Sequence, residues 1–395
     1  MKIAIIELDY HSEVLYSLCK IFEDSEHQLS IFTKKEIFNE FENLNIVEKF
    51  NWYIKDSRLW NKSFLDEHIS LMNKHDVIIF NTAASSFYFY SKLNFIPPII
   101  LRIHNVNAYF NRLKSVQPHF SLYYVYKDLS HIVRRELFCR DFYYLKKFMK
   151  KVDYFTFPDE KIQEYALKKG FVKKHQIAPS IPLAVYDPEF YKKEITDRIF
   201  ITIPGTIDQR RRDYHIVLEA IKRILPLINR PIQFTLLGRP IGFYGKKIIS
   251  KFERLTSNKF IFKYFKNRIK QEEFNQVMKE TDFIIAPIVL NTRYTIYREV
   301  YGLTKISGSI SDIIRYAKPG IFPMEYPINN TLQPIIDQYD SVEKLSELLI
   351  SYINGDRLVV KNNIIPNILQ EYSSEALRNK VEHFLYKINK NTNSA

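Results

Sequence analysis

The sequence predicts an α/β protein made of two doubly wound halves. Three observations carry this reading. Short apolar runs alternate with segments of helical period, a proline-punctuated connector interrupts the alternation near residue 185, and the same alternation then restarts.

In the first half, Ile3–Glu7, Gln28–Phe32, Asp76–Phe80, Ile99–His104 and Tyr154–Phe157 each read as a buried strand. Between the first two, Val14, Leu15, Leu18, Ile21 and Phe22 recur at helical spacing, and Ser12 is placed to cap that helix. Strands alternating with helices favour a parallel sheet covered on both faces. Ala178-Pro179-Ser180-Ile181-Pro182 and Asp187-Pro188 then favour extended chain. Ile199–Ile203, Gln233–Gly238, Phe260–Phe265, Asp282–Ala286 and Gly320–Phe322 read as the strands of the second half. The expected domains are 1–184 and 185–371. Val381, Phe384, Leu385 and Ile388 mark an amphipathic helix over 372–392 that is expected to pack back on the first domain.

The 395 residues are 46% hydrophobic and 26% charged, a globular composition that excludes a disordered tail protein. Two cysteines, Cys19 and Cys139, exclude a disulfide scaffold and favour a reducing compartment. No run approaches the roughly 18 apolar residues of a membrane span. The N-terminus reaches Glu7 and Asp9 too soon for a signal peptide, so a cytoplasmic location is expected. The net charge of +14 is unevenly spread. Residues 101–150 hold 10 basic and 3 acidic side chains, and residues 201–250 hold 9 and 3, whereas residues 1–50 hold 5 and 10. Two basic zones imply anionic partners, either phosphates, nucleic acid or an anionic membrane face.

In open α/β sheets ligands sit beyond the carboxyl ends of strands, and with two facing sheets that place is a cleft between them. After Ile199–Ile203 comes Pro204-Gly205-Thr206-Ile207-Asp208-Gln209-Arg210-Arg211-Arg212-Asp213, then a helix with Ile216, Val217, Ala220, Ile221 and Ile224 on one face. Three arginines at a helix N-terminus have the wrong sign for the helix dipole, and a bound phosphate would reverse that sign. Gly302 to Asp312 includes Lys305 and Ser307-Gly308-Ser309 before another helix. Small residues there leave amides for an oxyanion, while Ser309 and Asp312 alternatively match an S-x-x-D capping box. Together the two turns suggest a diphosphate clamp, and Arg211→Ala is expected to lower turnover more than stability.

The second half resembles the C-terminal domain of GT-B glycosyltransferases, in particular the glycosyltransferase family 4-like enzymes of bacterial surface-polysaccharide type. The resemblance rests on Pro204-Gly205-Thr206 with Arg210, Arg211 and Arg212, on Gln233–Gly238 entering a loop, and on Ser307 to Pro323. It covers residues 195–330, and the first half only in architecture. It implies two Rossmann-like domains and a nucleotide-diphosphate sugar bound by the second. Ser307, Gly308 and Ser309 then fall on the diphosphate loop, Asp312 on the ribose and the chain from Lys266 to Ile269 against the base, with Gly205, Thr206, Gly238 and Lys305 as further donor-binding residues. Asp312 replaces the usual glutamate, and the position of a second acid is Thr304, with Glu299 out of register. No cofactor beyond the co-substrate and no metal is implied.

The first half is then expected to receive a saccharide or lipid-linked saccharide. His11 follows the first strand, and His104 follows a mid-domain strand. Either histidine suits proton transfer or a grip on a sugar hydroxyl, and the resemblance favours His104. Asn81-Thr82 is a further polar strand end. The segment 109–151 mixes rings and cations, among them Tyr109, Phe110, Arg112, Phe120, Tyr123, Tyr124, Arg134, Arg135, Lys146, Lys147 and Lys150. Such a mixture suits peripheral contact with an anionic membrane, at the inner face of the plasma membrane, and equally suits helices with aromatic cores and solvated lysines. Gly238 to Lys247 lacks P-loop spacing, no G-x-G-x-x-G follows the first strand, and there is no D-x-D pair or nucleophile elbow. Two rival readings are a polyanion- or nucleic-acid-binding protein and a nucleotide-sugar 2-epimerase, the latter needing acids that the sequence does not locate.

Overall fold

The computed structural model describes residues 1–117, 122–191 and 196–392. The chain divides into two compact units. Unit 1 is Met1–Leu183 with Arg293–Glu299 and Ser374–Ala395, and unit 2 is Ala184–Thr292 with Val300–Ser373. The short segment Arg293–Glu299 therefore belongs to unit 1, a correction to the expectation that 185–371 forms one domain.

Unit 1 carries β1 (Lys2–Glu7), β2 (Gln28–Lys34), β3 (Asn51–Lys55), β4 (Val77–Thr82), β5 (Ile99–Arg102) and β6 (Tyr154–Thr156). They form one parallel sheet in the order β3-β2-β1-β4-β5-β6. Ile3, Ile5, Ile31, Phe32, Ile79 and Phe80 are almost completely buried, as expected for a sheet covered on both faces. The helix Ser12–Phe22 buries Val14, Leu15, Leu18, Ile21 and Phe22, the residues whose spacing predicts it. Ser12 begins this helix and His11 occupies the cap position, without a capping side-chain bond. The C-terminal helix Ser374–Thr392 also belongs to unit 1, where Phe384 meets Tyr154 edge-on and Glu382 lies 3.5 Å from His27.

Unit 2 carries β7 (Ile199–Pro204), β8 (Ile232–Leu237), β9 (Phe260–Tyr264) and β10 (Phe283–Ile285). The chain then makes the hairpin β11 (Asn291–Tyr294) and β12 (Tyr297–Val300) before β13 (Gly320–Pro323) and β14 (Ile336–Tyr339). The unit 2 sheet is parallel, in the order β14-β13-β10-β7-β8-β9. In both units the first strand lies between the second and the fourth, so the strand order reverses at β1/β4 and at β7/β10. Ligands of doubly wound sheets bind beyond the carboxyl ends at such a reversal.

Two glycines fix the turn beyond β7. Gly205 has φ of +95°, and its N–H donates to the Leu237 carbonyl at 2.9 Å. A Cβ on Gly238 would lie 2.2 Å from the Gly205 oxygen, which is backbone and cannot swing aside. Gly238→Ala is therefore expected to destabilise unit 2 by about 1–3 kcal/mol or more, the usual cost of overpacking. A thermal unfolding midpoint equal to the parent's would contradict this packing.

Candidate functional site

The reversal point of unit 2 lies beyond β7 and β10. The chain from Ile207 is zipped on one side to the turn after β8, with Ile207 N–H on the Arg239 carbonyl and Ile241 N–H on the Ile207 carbonyl, both at 3.0 Å. On the other side Arg211–Asp213 runs along the residues after β10. Val289 N–H bonds the Arg211 carbonyl at 3.0 Å, and Asp213 N–H bonds the Pro287 carbonyl at 2.7 Å.

This frame separates the three arginines. Arg210 is exposed and pairs with Asp208, Nη2 to Oδ2 at 2.6 Å. Arg211 is exposed. Arg212 folds back over the turn, where its Nη1 donates to the Thr206 carbonyl at 3.2 Å and its Nη2 to the Pro204 carbonyl. Its Nε is buried and has no hydrogen-bond partner among the described residues. The helix that follows is already capped, because Asp213 accepts from the His215 and Ile216 amides at 3.0 and 3.3 Å. Of the three, Arg212 folds back over the turn, while Arg210 and Arg211 keep their guanidiniums exposed.

The helix Gly308–Tyr316 is capped by Ser307, whose hydroxyl accepts from the Ser309 amide at 3.2 Å. The alternative Ser309–Asp312 box is not the cap. Ser309 sits inside the first turn, fully buried, with its hydroxyl unpartnered. A Cβ on Gly308 would meet nothing within 4 Å, so space opens at the helix start. Asp312, half-buried one turn on, has its carboxyl pushed up to about 7. Desolvation is the cause, opposed by the attraction of Arg315 and of Arg212. Arg212 and Asp312, from turns far apart in sequence, thus act on one another within unit 2. Lys305 is half-buried in the turn before this helix, where its carbonyl accepts from the Gly302 amide at 2.8 Å. Thr304, also buried, uses its hydroxyl on the Val300 backbone. Ile269 is half-buried after the edge strand β9, two residues before the helix Gln271–Glu280, whose Gln271 and Asn275 hydrogen-bond the Tyr316 hydroxyl.

Unit 1 has its own polar cluster at the reversal between β1 and β4. Glu7, fully buried, accepts from Asn81 Nδ2 at 2.6 Å and from the Asp9 amide at 3.0 Å. Burial pushes its pKa up to about 7, against the bonds from Thr82 and Asn81. Asp9 in turn accepts from the Ala84 amide at 2.7 Å and the Ser85 hydroxyl at 2.5 Å. Arg102, buried, donates to Asn81 and to the Ile181 and Pro182 carbonyls. His11 and His104 come together here, ring centroids 5.3 Å apart. They line a narrow recess with Thr82, Tyr109, Arg112 and Tyr294, about 10 Å³ of which admits a water-sized sphere, room for one hydroxyl.

The two histidines differ. His104 is buried, and its Nε2 is 2.7 Å from the Asn81 carbonyl, which therefore accepts from Nε2–H. His11 is a quarter exposed, with Nδ1 3.1 Å from Glu13 Oε1. The carboxylate assigns the proton to Nδ1 and leaves Nε2 as an acceptor. The buried ring is thus the one already engaged with the backbone, and the partly solvated ring the one with a free face. Asn81-Thr82 has the polar role its strand-end position suggests, whereas Glu7, Asp9, Arg102 and Tyr294 escaped the sequence reading. An acid two residues past a buried strand was the available signal for Asp9. Tyr294, whose hydroxyl meets that of Tyr10 at 2.5 Å, had none.

The segment 109–151 divides. Tyr109 gives its hydroxyl to the Ala83 carbonyl, and Arg112 pairs with Glu136 at 2.7 Å, so these point inward rather than to a membrane. Phe120 and the side chains of Tyr123 and Tyr124 lie outside the described residues. Tyr126, Leu129, Val133 and Leu137 are exposed, as are Lys146, Lys147 and Lys150. Among the described residues no helix is long and apolar enough to cross a membrane.

No family model matches the chain, and no curated protein matches its sequence. Solved structures do match. The chain is similar to Anabaena HepE in complex with UDP and glucose, at 12% identity and a TM-score of 0.61 over 98% of this chain and 100% of that one. It is also similar to the pneumococcal O-GlcNAc transferase GtfA in complex with UDP and GlcNAc, at 10% identity and 0.59 over 98% and 99%. A third similar structure is TarM, at 10% and 0.57 over 97% and 98%. This chain has the GT-B fold. The likeness spans both Rossmann-like units of the GT-B fold.

Proposed function

We propose that this chain is a glycosyltransferase that moves a sugar from a nucleoside diphosphate sugar to a saccharide or lipid-linked saccharide in bacterial surface-polysaccharide synthesis. Unit 2 would hold the donor and unit 1 the acceptor. One observation carries the reading. Arg212 keeps a buried Nε without a partner and lies within electrostatic reach of Asp312, at the place where a doubly wound sheet binds ligands. The occurrence of UDP in the similar HepE and GtfA structures makes a uridine diphosphate sugar the first donor to test.

In this reading the diphosphate sits against Arg212, Lys305 and the open start of the helix Gly308–Tyr316, while Asp312 accepts from ribose hydroxyls. The bond between the sugar and the diphosphate breaks, and negative charge grows on the leaving oxygen. Fixed cations and amides stabilise that charge without reorganising, so a metal ion is not required. The acceptor oxygen bonds the sugar carbon and its proton passes to His11 Nε2. Peripheral membrane contact is supported by the exposure of Tyr126, Leu129, Val133 and Leu137 and of Lys146, Lys147 and Lys150, which fits an acceptor carried on a lipid.

The donor site is tested by UDP binding as a function of pH. Asp312 titrates near 7 in the free protein, and ribose hydroxyls need its carboxylate. Affinity is therefore full above pH 7 and is expected to fall up to about tenfold per unit below it. Asp312→Asn should bind UDP more weakly and keep only the pH dependence that UDP's own phosphate contributes, so the difference between the two profiles isolates Asp312. No UDP binding at pH 8, or the same pH profile in both proteins, would reject the assignment.

A further inference from the structure

A second cavity in unit 1 lies outside the histidine recess and has no part in the chemistry above. It is a groove of about 1010 Å³, within the size range of small-molecule sites. Its walls are the turn after β3, the turn after β4 and the chain from Arg134 to Tyr144. Arg58, Arg134 and Arg140 line it, all exposed and none in an ion pair among the described residues. Asp141 is the sole carboxylate in the lining, and Arg135 already holds it at 2.5 Å. Three positive charges thus face the groove without compensation.

The same walls expose flat aromatic surface. Trp60 is 76% exposed and Phe138 79%, with Tyr88 beside them. Exposed apolar surface gathered in one groove and rimmed by polar groups marks a place where a ligand binds. The backbone is also held in unusual states here. Ser86 and Arg140 have φ of +62° and +50°, and Ile132–Phe138 is π-helical. Such features persist where surrounding structure fixes them, frequently at binding sites.

We propose that this groove binds a phosphorylated saccharide, with sugar rings stacked on Trp60 and Phe138 and the phosphate gripped by Arg58, Arg134 and Arg140. Arginine forks match phosphate oxygens in pairs, and rings with C–H faces match exposed indole and phenyl surfaces. A neutral glycan would leave the guanidiniums unanswered, and a flat lipid surface would not fill a concavity. The inference rests on the proposed function only in naming this saccharide as part of the acceptor.

Trp60 gives a direct readout, since the chain has two tryptophans and Trp52→Phe leaves Trp60 as the sole one. In that protein maltose 1-phosphate is expected to quench the fluorescence with a Kd at least tenfold below those of maltose, inorganic phosphate and an eight-residue oligothymidylate. Adding Arg58→Gln, Arg134→Gln and Arg140→Asn should weaken maltose 1-phosphate at least tenfold while leaving the melting temperature and the UDP-induced thermal shift in place. Asparagine tolerates the left-handed backbone at 140, and if the triple variant does not fold, Arg134→Gln alone should weaken binding about threefold. Equal binding of maltose, tighter binding of the oligonucleotide, or parental affinity in the arginine variants overturns the groove. Loss of the UDP response with maltose 1-phosphate binding intact would instead reject the transferase reading and leave the groove standing.

Discussion

Arg212→Ala is expected to lower kcat/KM for sugar transfer by about a hundredfold to a thousandfold, the effect of removing one preorganised donor from a developing oxyanion. Arg210 spends its charge on Asp208, and Arg211 is exposed, whereas Arg212 lies beneath the Gly205 turn with Nε buried and unpartnered. A Cβ on Gly205 would meet Arg212 Nη2 at 2.5 Å, so only glycine lets the guanidinium lie flat against the turn. Removing the side chain also leaves the Pro204 and Thr206 carbonyls without that donor, at about 1 kcal/mol for each bond. The assay therefore belongs well below the melting temperature, with UDP binding measured on the same samples. Arg212→Lys keeps the charge and loses the fork, and should recover part of the rate. Arg210→Ala should stay within about threefold of the parent, as expected for a solvent-screened pair. Parental turnover in Arg212→Ala would remove the diphosphate clamp from the account.

The contrast between the three arginines shows where sequence reasoning stops. The strands β1, β2, β4, β5, β7, β8 and β10 were legible because their apolar runs are buried on both faces. β3 was not, because its apolar run is only Trp52-Tyr53-Ile54, none of the three is buried, and the one buried residue is Lys55. β14 carries Asp337 and Gln338, and Asp337 is paired with Arg357 and Lys361 rather than exposed. Both lie at sheet edges, where half the surface need not be apolar. The turns that carry the candidate residues were legible, since Gly205 and Arg212 lie between β7 and the following helix, and Ser307 and Asp312 at the start of the helix Gly308–Tyr316. Which arginine folds inward, and whether Ser307 or Ser309 caps the helix, depends on packing from strands distant in sequence. Glu299 is the clearest case. It looks like an acid out of register, yet it is buried in unit 1 and accepts from the Asn107 and Ala108 amides, closing the start of the helix Val106–Phe110. No local pattern announces a contact across that sequence distance.

His11→Ala is expected to lower kcat by about 100-fold to 10,000-fold, the range of a positioned general base, while UDP affinity stays at the parental value because the proposed donor residues belong to unit 2. The stability cost should be small. His11 makes no capping bond to the helix it precedes, and its side chain is partly solvated. His104→Ala should behave in the opposite way, lowering the melting temperature through loss of a buried bond to Asn81 and of the packing beside Thr82. Glu13→Gln separates orientation from charge. It keeps a hydrogen-bond acceptor for Nδ1 but not the carboxylate that stabilises a protonated ring, so kcat should fall by about tenfold or less, with KM for the acceptor unchanged. Glu13 is then a positioning residue and His11 the group that meets the acceptor hydroxyl. If His11→Ala transfers sugar at the parental rate while His104→Ala, still folded, does not, the proton goes to the buried ring and the assignment made from exposure and the Glu13 bond is wrong.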